Sequence, residues 1–241
     1  LPTEFGGLGL DCVTTGIVIE EIAAADLNVS YVQLIGSLNG RILTDHATPE
    51  FAAKAIGEMC AGNSISALGL TEPRGGSDAA GLILRAREDG DDYILNGEKT
   101  SISLSTQADT VLLFARTGGE EERSRGVSTF YVPLDAPGVT RTEFDDMGHG
   151  AVGRGSLFFD DVRIPGDCLL GEEGAGFRQV MHGFDFSRAL IGLMVLGPAR
   201  QSLAEAWQYS TERGAFGHPI AASPGVTQPL AECETYLEAA T

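Results

Sequence analysis

Between residues 64 and 165 the chain reads as a succession of short strand-like runs, at 65–70, 82–87, 93–95, 111–115, 128–132 and 157–159. Turn residues separate them, including Gly90-Asp91-Asp92 and Gly118-Gly119. Runs of strand length bounded by such signals predict a compact antiparallel barrel or sandwich. This block constrains the fold more than any other feature, because the pattern on both of its flanks is helical.

Upstream, residues 11 to about 62 read as helices. Asp11 is placed to cap the first, which carries Val18, Ile22 and Ala25 at spacings of four and three. Thr48-Pro49-Glu50 starts another: a capping hydroxyl, a proline in the first turn and an acid at the positive end of the dipole. That helix carries Phe51, Ala55 and Met59 and ends near Gly62. Downstream, Leu196, Ala199, Leu203, Ala206 and Ser210 mark a helix over 187–213, which Pro198 should kink. Ser223-Pro224 opens a further helix that Pro229 should shorten. The expected fold is α+β and multidomain: an N-terminal helical domain over 1–62, a middle antiparallel β-barrel or sandwich domain over 63–170, and the start of a C-terminal helical bundle over 171–241.

Composition excludes some partners. The net charge is −18, a field that repels nucleic acid and anionic lipid, so neither is expected as a partner. The same field repels any phosphorylated ligand, whose binding must then rest on local arginines. No apolar run reaches the about eighteen residues of a membrane span, and none is expected. Cys12, Cys60, Cys168 and Cys233 are scattered without metal or redox spacing, which predicts reduced, mostly buried thiols in a reducing compartment. His46, His149, His182 and His218 do not cluster, so no metal site is expected. The chain opens on Leu1 rather than Met.

The chemistry concentrates in Thr71-Glu72-Pro73-Arg74-Gly75-Gly76-Ser77-Asp78, directly after the first strand-like run. Pro73 ends the strand ladder, and the glycines let backbone approach a ligand. Hydroxyls and free N–H groups suit a flat, polar-edged cofactor or a phosphate. The same residues also make an ordinary Pro/Gly turn.

Five segments in order resemble the acyl-CoA dehydrogenase family. They are Pro2-Thr3-Glu4-Phe5-Gly6-Gly7-Leu8-Gly9, the Thr71–Asp78 stretch, and Asn96-Gly97-Glu98-Lys99, resembling that family's strand turn. Phe159-Asp160-Asp161-Val162-Arg163-Ile164-Pro165, running into Leu169-Leu170-Gly171-Glu172-Glu173-Gly174-Ala175-Gly176-Phe177, is the fourth, and Arg213-Gly214-Ala215-Phe216-Gly217 the fifth. The resemblance covers the whole chain. It implies a segment lacking the family's first helices and most of its C-terminal helical domain.

The resemblance further implies FAD bound by Leu68, Leu70, Thr71, Ser77, Ser101 and Ser103, with Thr71 at the pyrimidine edge of the ring and Ser103 near its N5. Ser101 stands where the family usually has tryptophan. Asp185 and Arg188 match its Asp-x-x-Arg and, with Ser77, would hold the CoA arm. Arg213 and Phe216 would reach FAD on a neighbouring subunit, implying a homodimer or homotetramer. Ala215 and Ser223-Pro224-Gly225 depart from the family there. The implied reaction is acyl-CoA dehydrogenation to a 2,3-enoyl-CoA, with electron-transfer flavoprotein as acceptor. An acyl-CoA oxidase, a flavin monooxygenase on the same scaffold and a non-catalytic CoA- or protein-binding relative remain alternatives. The base that some members carry just before this arginine is Ser187 here, so the catalytic carboxylate is expected beyond Thr241. The implied setting is bacterial cytoplasm, with an organellar matrix as the alternative, and Lys99-Thr100-Ser101-Ile102-Ser103 resembles the variant in enzymes of alicyclic or branched-acid degradation.

Overall fold

The computed structural model describes residues 1–148 and 150–240; His149 and Thr241 lie outside the described residues. The chain divides into two compact units, one of residues 1–10 and 31–187, the other of residues 11–30 and 188–241.

The first unit is built on one seven-stranded sheet: β1 Ser66–Gly69, β2 Arg85–Asp89, β3 Asp92–Ile102, β4 Thr110–Arg116, β5 Val127–Pro133, β6 Val139–Glu143 and β7 Gly155–Pro165. The order is β1-β4-β2-β3-β7-β6, with β5 on the other edge of β4. Pairing is mostly antiparallel, as expected. The exceptions are at β4, which runs parallel to β1 over residues 110–113 and meets β2 in parallel at Arg85 and Arg116. Thr110–Arg116 is nearly all apolar because both of its faces are covered. Val111 and Leu113 join Leu95, Phe130 and Val162 in one cluster. Leu112 and Phe114 join Leu38, Ile42, Ile56 and Val180 in another, where helices cover the sheet.

Those covering helices are α2 (Leu27–His46), α3 (Pro49–Cys60) and the first part of α4 (Gly176–Glu212). Thr48 caps α3 by accepting from Phe51 N, with Pro49 at its start. Its buried residues are Ala52, Ala55 and Ile56, a face turned slightly from the expected Phe51, Ala55 and Met59.

Three features of the sheet differ from expectation. Asn96-Gly97 makes no turn: it lies within β3, where the pairing with β7 shifts between Leu95 and Gly97. Gly97 has φ +139°, and a Cβ there would lie 2.9 Å from Leu84 Cγ, so the irregularity requires glycine. β3 and β7 are also eleven residues each, far longer than their apolar stretches, because main-chain pairing continues through polar residues. Finally β6, Val-Thr-Arg-Thr-Glu, has no fully buried residue and so lacks the apolar signature of a strand.

In the second unit, Asp11 caps α1 (Cys12–Ala25) by accepting from Thr14 N. The buried face is Gly16, Ile19 and Ala23, not Val18, Ile22 and Ala25. It meets the later part of α4 closely: a Cβ on Gly16 would lie 2.4 Å from Leu193 Cδ1, and one on Gly197 2.2 Å from the Glu20 carbonyl oxygen. Arg200 adds an ion pair to Glu20 at 2.5 Å. α4 begins eleven residues before the predicted start and runs unbroken through Pro198. By length and composition it is the one helix of the described residues apolar enough to cross a membrane, although Asp185 and Arg188 fall within it. A short hairpin of β8 (Gly214–Ala215) and β9 (His218–Pro219) leads to α5 (Pro224–Ala240), which Pro229 does not shorten.

Cys12, Cys60 and Cys233 are exposed and only Cys168 is buried, which corrects the expectation of mostly buried thiols; all four are free. Among the described residues no three His, Cys, Asp or Glu side chains are grouped to hold a metal.

Candidate functional site

The site grows from the end of β1, an edge strand. One edge pairs with β4; on the other, alternate backbone groups are left to non-strand partners. Asn39, buried on α2, donates to the carbonyls of Ser66 at 3.3 Å and Ala67 at 2.9 Å. Beyond Gly69 the chain is gripped by β3. Lys99 Nζ donates to the Leu70 carbonyl at 3.1 Å, and Thr100 N donates to the Thr71 carbonyl at 2.9 Å.

Glu72 then turns inward while its neighbours stay outside. Its carboxylate accepts from Lys99 Nζ at 2.8 Å, Ile83 N at 2.7 Å and Leu84 N at 2.9 Å. Lys99 is 0% exposed and Glu72 5%, so the ion pair lies in the core. Burial pushes the Lys99 ammonium down to about 8, and the Glu72 carboxylate opposes that shift. Gly75 N closes the turn on the Glu72 carbonyl at 3.0 Å. Buried Arg116 secures the following loop by donating to the carbonyls of Ala80, Leu82, Gly119 and Arg123. A cavity of about 310 Å³ lies against it, with Arg74, Asp78 and Arg123 among its lining residues.

The Thr71–Thr100 contact brings the second and third motifs side by side. Thr71, half-buried, and Ser101 and Ser103 therefore lie on adjoining segments. None of their three hydroxyls bonds to another described residue. Ser101 is exposed at φ +59°, while Ile102 between the two serines is buried. Leu68 is half-buried, Leu70 buried, and Ser77 exposed on the loop. This donor set fits a flavin edge: unspent hydroxyls beside a strand edge, on a rigidly held turn.

The other expected residues lie elsewhere. Asp185 and Arg188 are both exposed on α4, three residues and so about one turn apart. Arg213 is exposed just after α4, and its backbone N and carbonyl are tied to Tyr209 and Ile220. Phe216 is 99% exposed at the tip of the β8–β9 hairpin, with φ +53°.

Family models match along the chain in order. Residues 1–63 match the acyl-CoA dehydrogenase N-terminal domain, 67–162 the middle domain and 174–241 the C-terminal domain. The chain belongs to the acyl-CoA dehydrogenase family. Within it, the chain is 33% identical over 242 residues to the probable acyl-CoA dehydrogenase YngJ of Bacillus subtilis, covering 99% of this chain and 63% of that protein. Butyryl-CoA dehydrogenase from Megasphaera elsdenii superposes with a TM-score of 0.94 at 31% identity, over 99% of this chain and 64% of that one. A glutaryl-CoA dehydrogenase from Mycobacterium smegmatis, solved in complex with FADH2, superposes with a TM-score of 0.91 at 30% identity, over 98% and 60%. The chain thus spans about three-fifths of the length of its curated relatives.

The buried trio of Glu72, Lys99 and Arg116 was not singled out from sequence, although Glu72 and Lys99 stood in quoted motifs. One signal was available: Lys99 shares strand parity with the inward Tyr93 and Leu95, which places a charge on the core face of β3.

Proposed function

We propose that the whole protein is an FAD-dependent acyl-CoA dehydrogenase converting an acyl-CoA to its 2,3-enoyl-CoA. The observation that carries this reading is the Thr71–Thr100 backbone bond, which sets the uncommitted hydroxyls of Thr71, Ser101 and Ser103 on adjoining segments. In this reading Leu68, Leu70, Thr71, Ser77, Ser101 and Ser103 hold the isoalloxazine and its ribityl–phosphate arm. When bound, FAD supplies the two-electron acceptor for the substrate's β-hydride. Backbone and hydroxyl donors at Thr71 stabilise negative charge developing on the ring.

Asp185 and Arg188 hold the polar arm of the CoA thioester, and Ser77 contributes from the loop. A guanidinium there offsets the repulsion between CoA phosphates and a chain of net charge −18. Arg213 and Phe216 meet the adenosine-diphosphate half of FAD on a neighbouring subunit, in a homodimer or homotetramer. Electron-transfer flavoprotein is the proposed electron acceptor. Free, exposed cysteines suit a reducing compartment.

The α-proton needs a carboxylate, and Ser187 cannot serve. It is 3% exposed and its hydroxyl donates to the Phe184 carbonyl at 3.4 Å, and a serine hydroxyl is too weak a base to take an α-proton. We assign the base to the part of the protein outside these 241 residues.

The test is anaerobic. CoA thioesters of graded chain length and branching are added to the full-length, flavin-loaded protein, and the visible flavin band is followed. Bleaching by a subset is the expected result and ranks the acyl groups. An unbleached spectrum with every thioester would overturn dehydrogenation. Fast reoxidation by oxygen with peroxide formation would favour an oxidase instead.

A further inference from the structure

The buried Lys99–Glu72 pair lies behind the Thr71 edge rather than in it. We infer that it is a positioning device, which aims the Thr71 N–H outward at the bound flavin. This inference rests on the FAD reading above.

The geometry begins with the peptide between Leu70 and Thr71. That peptide bond is trans, so the Leu70 carbonyl and the Thr71 N–H point in opposite directions. Lys99 Nζ holds that carbonyl inward at 3.1 Å. The Thr71 N–H therefore faces away from the core. The next peptide is held separately, by Thr100 N on the Thr71 carbonyl at 2.9 Å. Both peptides flanking Thr71 are thus fixed by consecutive residues of β3, one through a side chain and one through backbone.

Glu72 fixes Lys99 in turn. Its two oxygens are anchored by Ile83 N and Leu84 N, so the carboxylate cannot follow the lysine if it moves. The lysine stem passes beside Gly69, where a Cβ would make an ordinary 3.7 Å contact with Lys99 Cγ but would crowd Val111 at 3.0 Å and Leu113 at 3.2 Å. A buried ion pair adds little stability over an apolar pair of the same volume. What it supplies here is direction, since an apolar side chain at position 99 would leave the Leu70 carbonyl unheld and its peptide free to rotate.

The experiment compares three substitutions in the full-length protein: Lys99→Met, Glu72→Gln and the double variant. Thermal midpoint, FAD dissociation constant and the visible spectrum of bound flavin are measured on each. Lys99→Met should lower the midpoint, weaken FAD at least about tenfold and shift the spectrum. The double variant removes the unpaired carboxylate, so its midpoint should recover while FAD stays weak and the spectrum stays shifted. Glu72→Gln loosens the hold on Lys99, because an amide NH2 would face one of the three donors the carboxylate accepts from, and should weaken FAD by about threefold, less than Lys99→Met does. Where Lys99→Met fails to fold, the double variant carries the comparison. If the double variant regains parental FAD affinity and spectrum, the pair is only a structural staple and the inference is overturned.

Amide exchange at Thr100, whose N–H reports the Thr71 carbonyl, is measured without FAD. It should be at least about tenfold faster in the double variant, and an unchanged rate would overturn the inference. A parent protein that takes up no FAD would overturn the functional reading instead, with the exchange result still deciding whether Lys99 orients Thr71.

Discussion

At the scale of single residues, Lys99 gives the fold a particular pH response. Its ordinary value of 10.5 is pushed down to about 8 by burial, with the Glu72 carboxylate opposing. Between these values the unfolded chain binds the extra proton, so stability rises with pH. Cys168 acts oppositely: burial pushes its thiol from 9.0 up to about 11, so from pH 9 the folded chain holds the extra proton and stability falls. Stability should therefore climb by about 1 kcal/mol between pH 8 and 9 and then flatten as the two slopes cancel. Urea unfolding across this range checks it. The Lys99→Met variant should lose the climb.

Two other residues are testable directly. Gly97→Ala should cost about 1–3 kcal/mol in the same unfolding experiment, since its Cβ meets Leu84 and its φ of +139° disfavours any side chain. Arg188→Ala should raise KM for acyl-CoA more than it lowers kcat, as expected for a residue holding the CoA arm away from the reacting carbons. Steady-state kinetics with one good thioester measures the split. A fall in kcat alone would remove Arg188 from that role.

At the scale of elements, α4 carries glycines in two different situations. Gly197 lies against the Glu20 backbone of α1, whereas a Cβ on Gly192 would meet nothing within 4 Å. Gly192→Ala should raise the thermal midpoint, by a stabilisation of about 1 kcal/mol from helix propensity. Gly197→Ala should lower it despite the same propensity gain, because helix separation must increase. Equal effects would mean that α1 and α4 do not pack this closely.

The same elements explain what was legible beforehand. Asp11 and Thr48 announce their helices because a cap is a local interaction, complete within four residues. The burial face of α1 was misjudged because it selects small residues at a close helix contact, and Gly16 and Ala23 carry little hydrophobic signal. The lengths of β3 and β7 come from mutual pairing, which neither strand encodes alone. In the candidate site, the motif order revealed the family, and Thr71, Ser101 and Ser103 do lie on adjoining segments. The clamp behind them was not legible, because it joins positions 27 residues apart through buried charges that local patterning cannot pair.

At the scale of the whole molecule, the proposed reaction needs both a flavin site at the β1 edge and the Asp185 and Arg188 side chains of α4. Everything in it depends on FAD being held by the Thr71–Ser103 region. The most direct measurement is therefore FAD binding to the full-length protein by titration, with Thr71→Val and Ser103→Ala beside the parent. The account predicts close to one FAD per chain, and binding weakened about tenfold in Thr71→Val through loss of the hydroxyl and its hydrogen bond. Colourless protein that cannot be reconstituted, or FAD bound equally well by both variants, would contradict it.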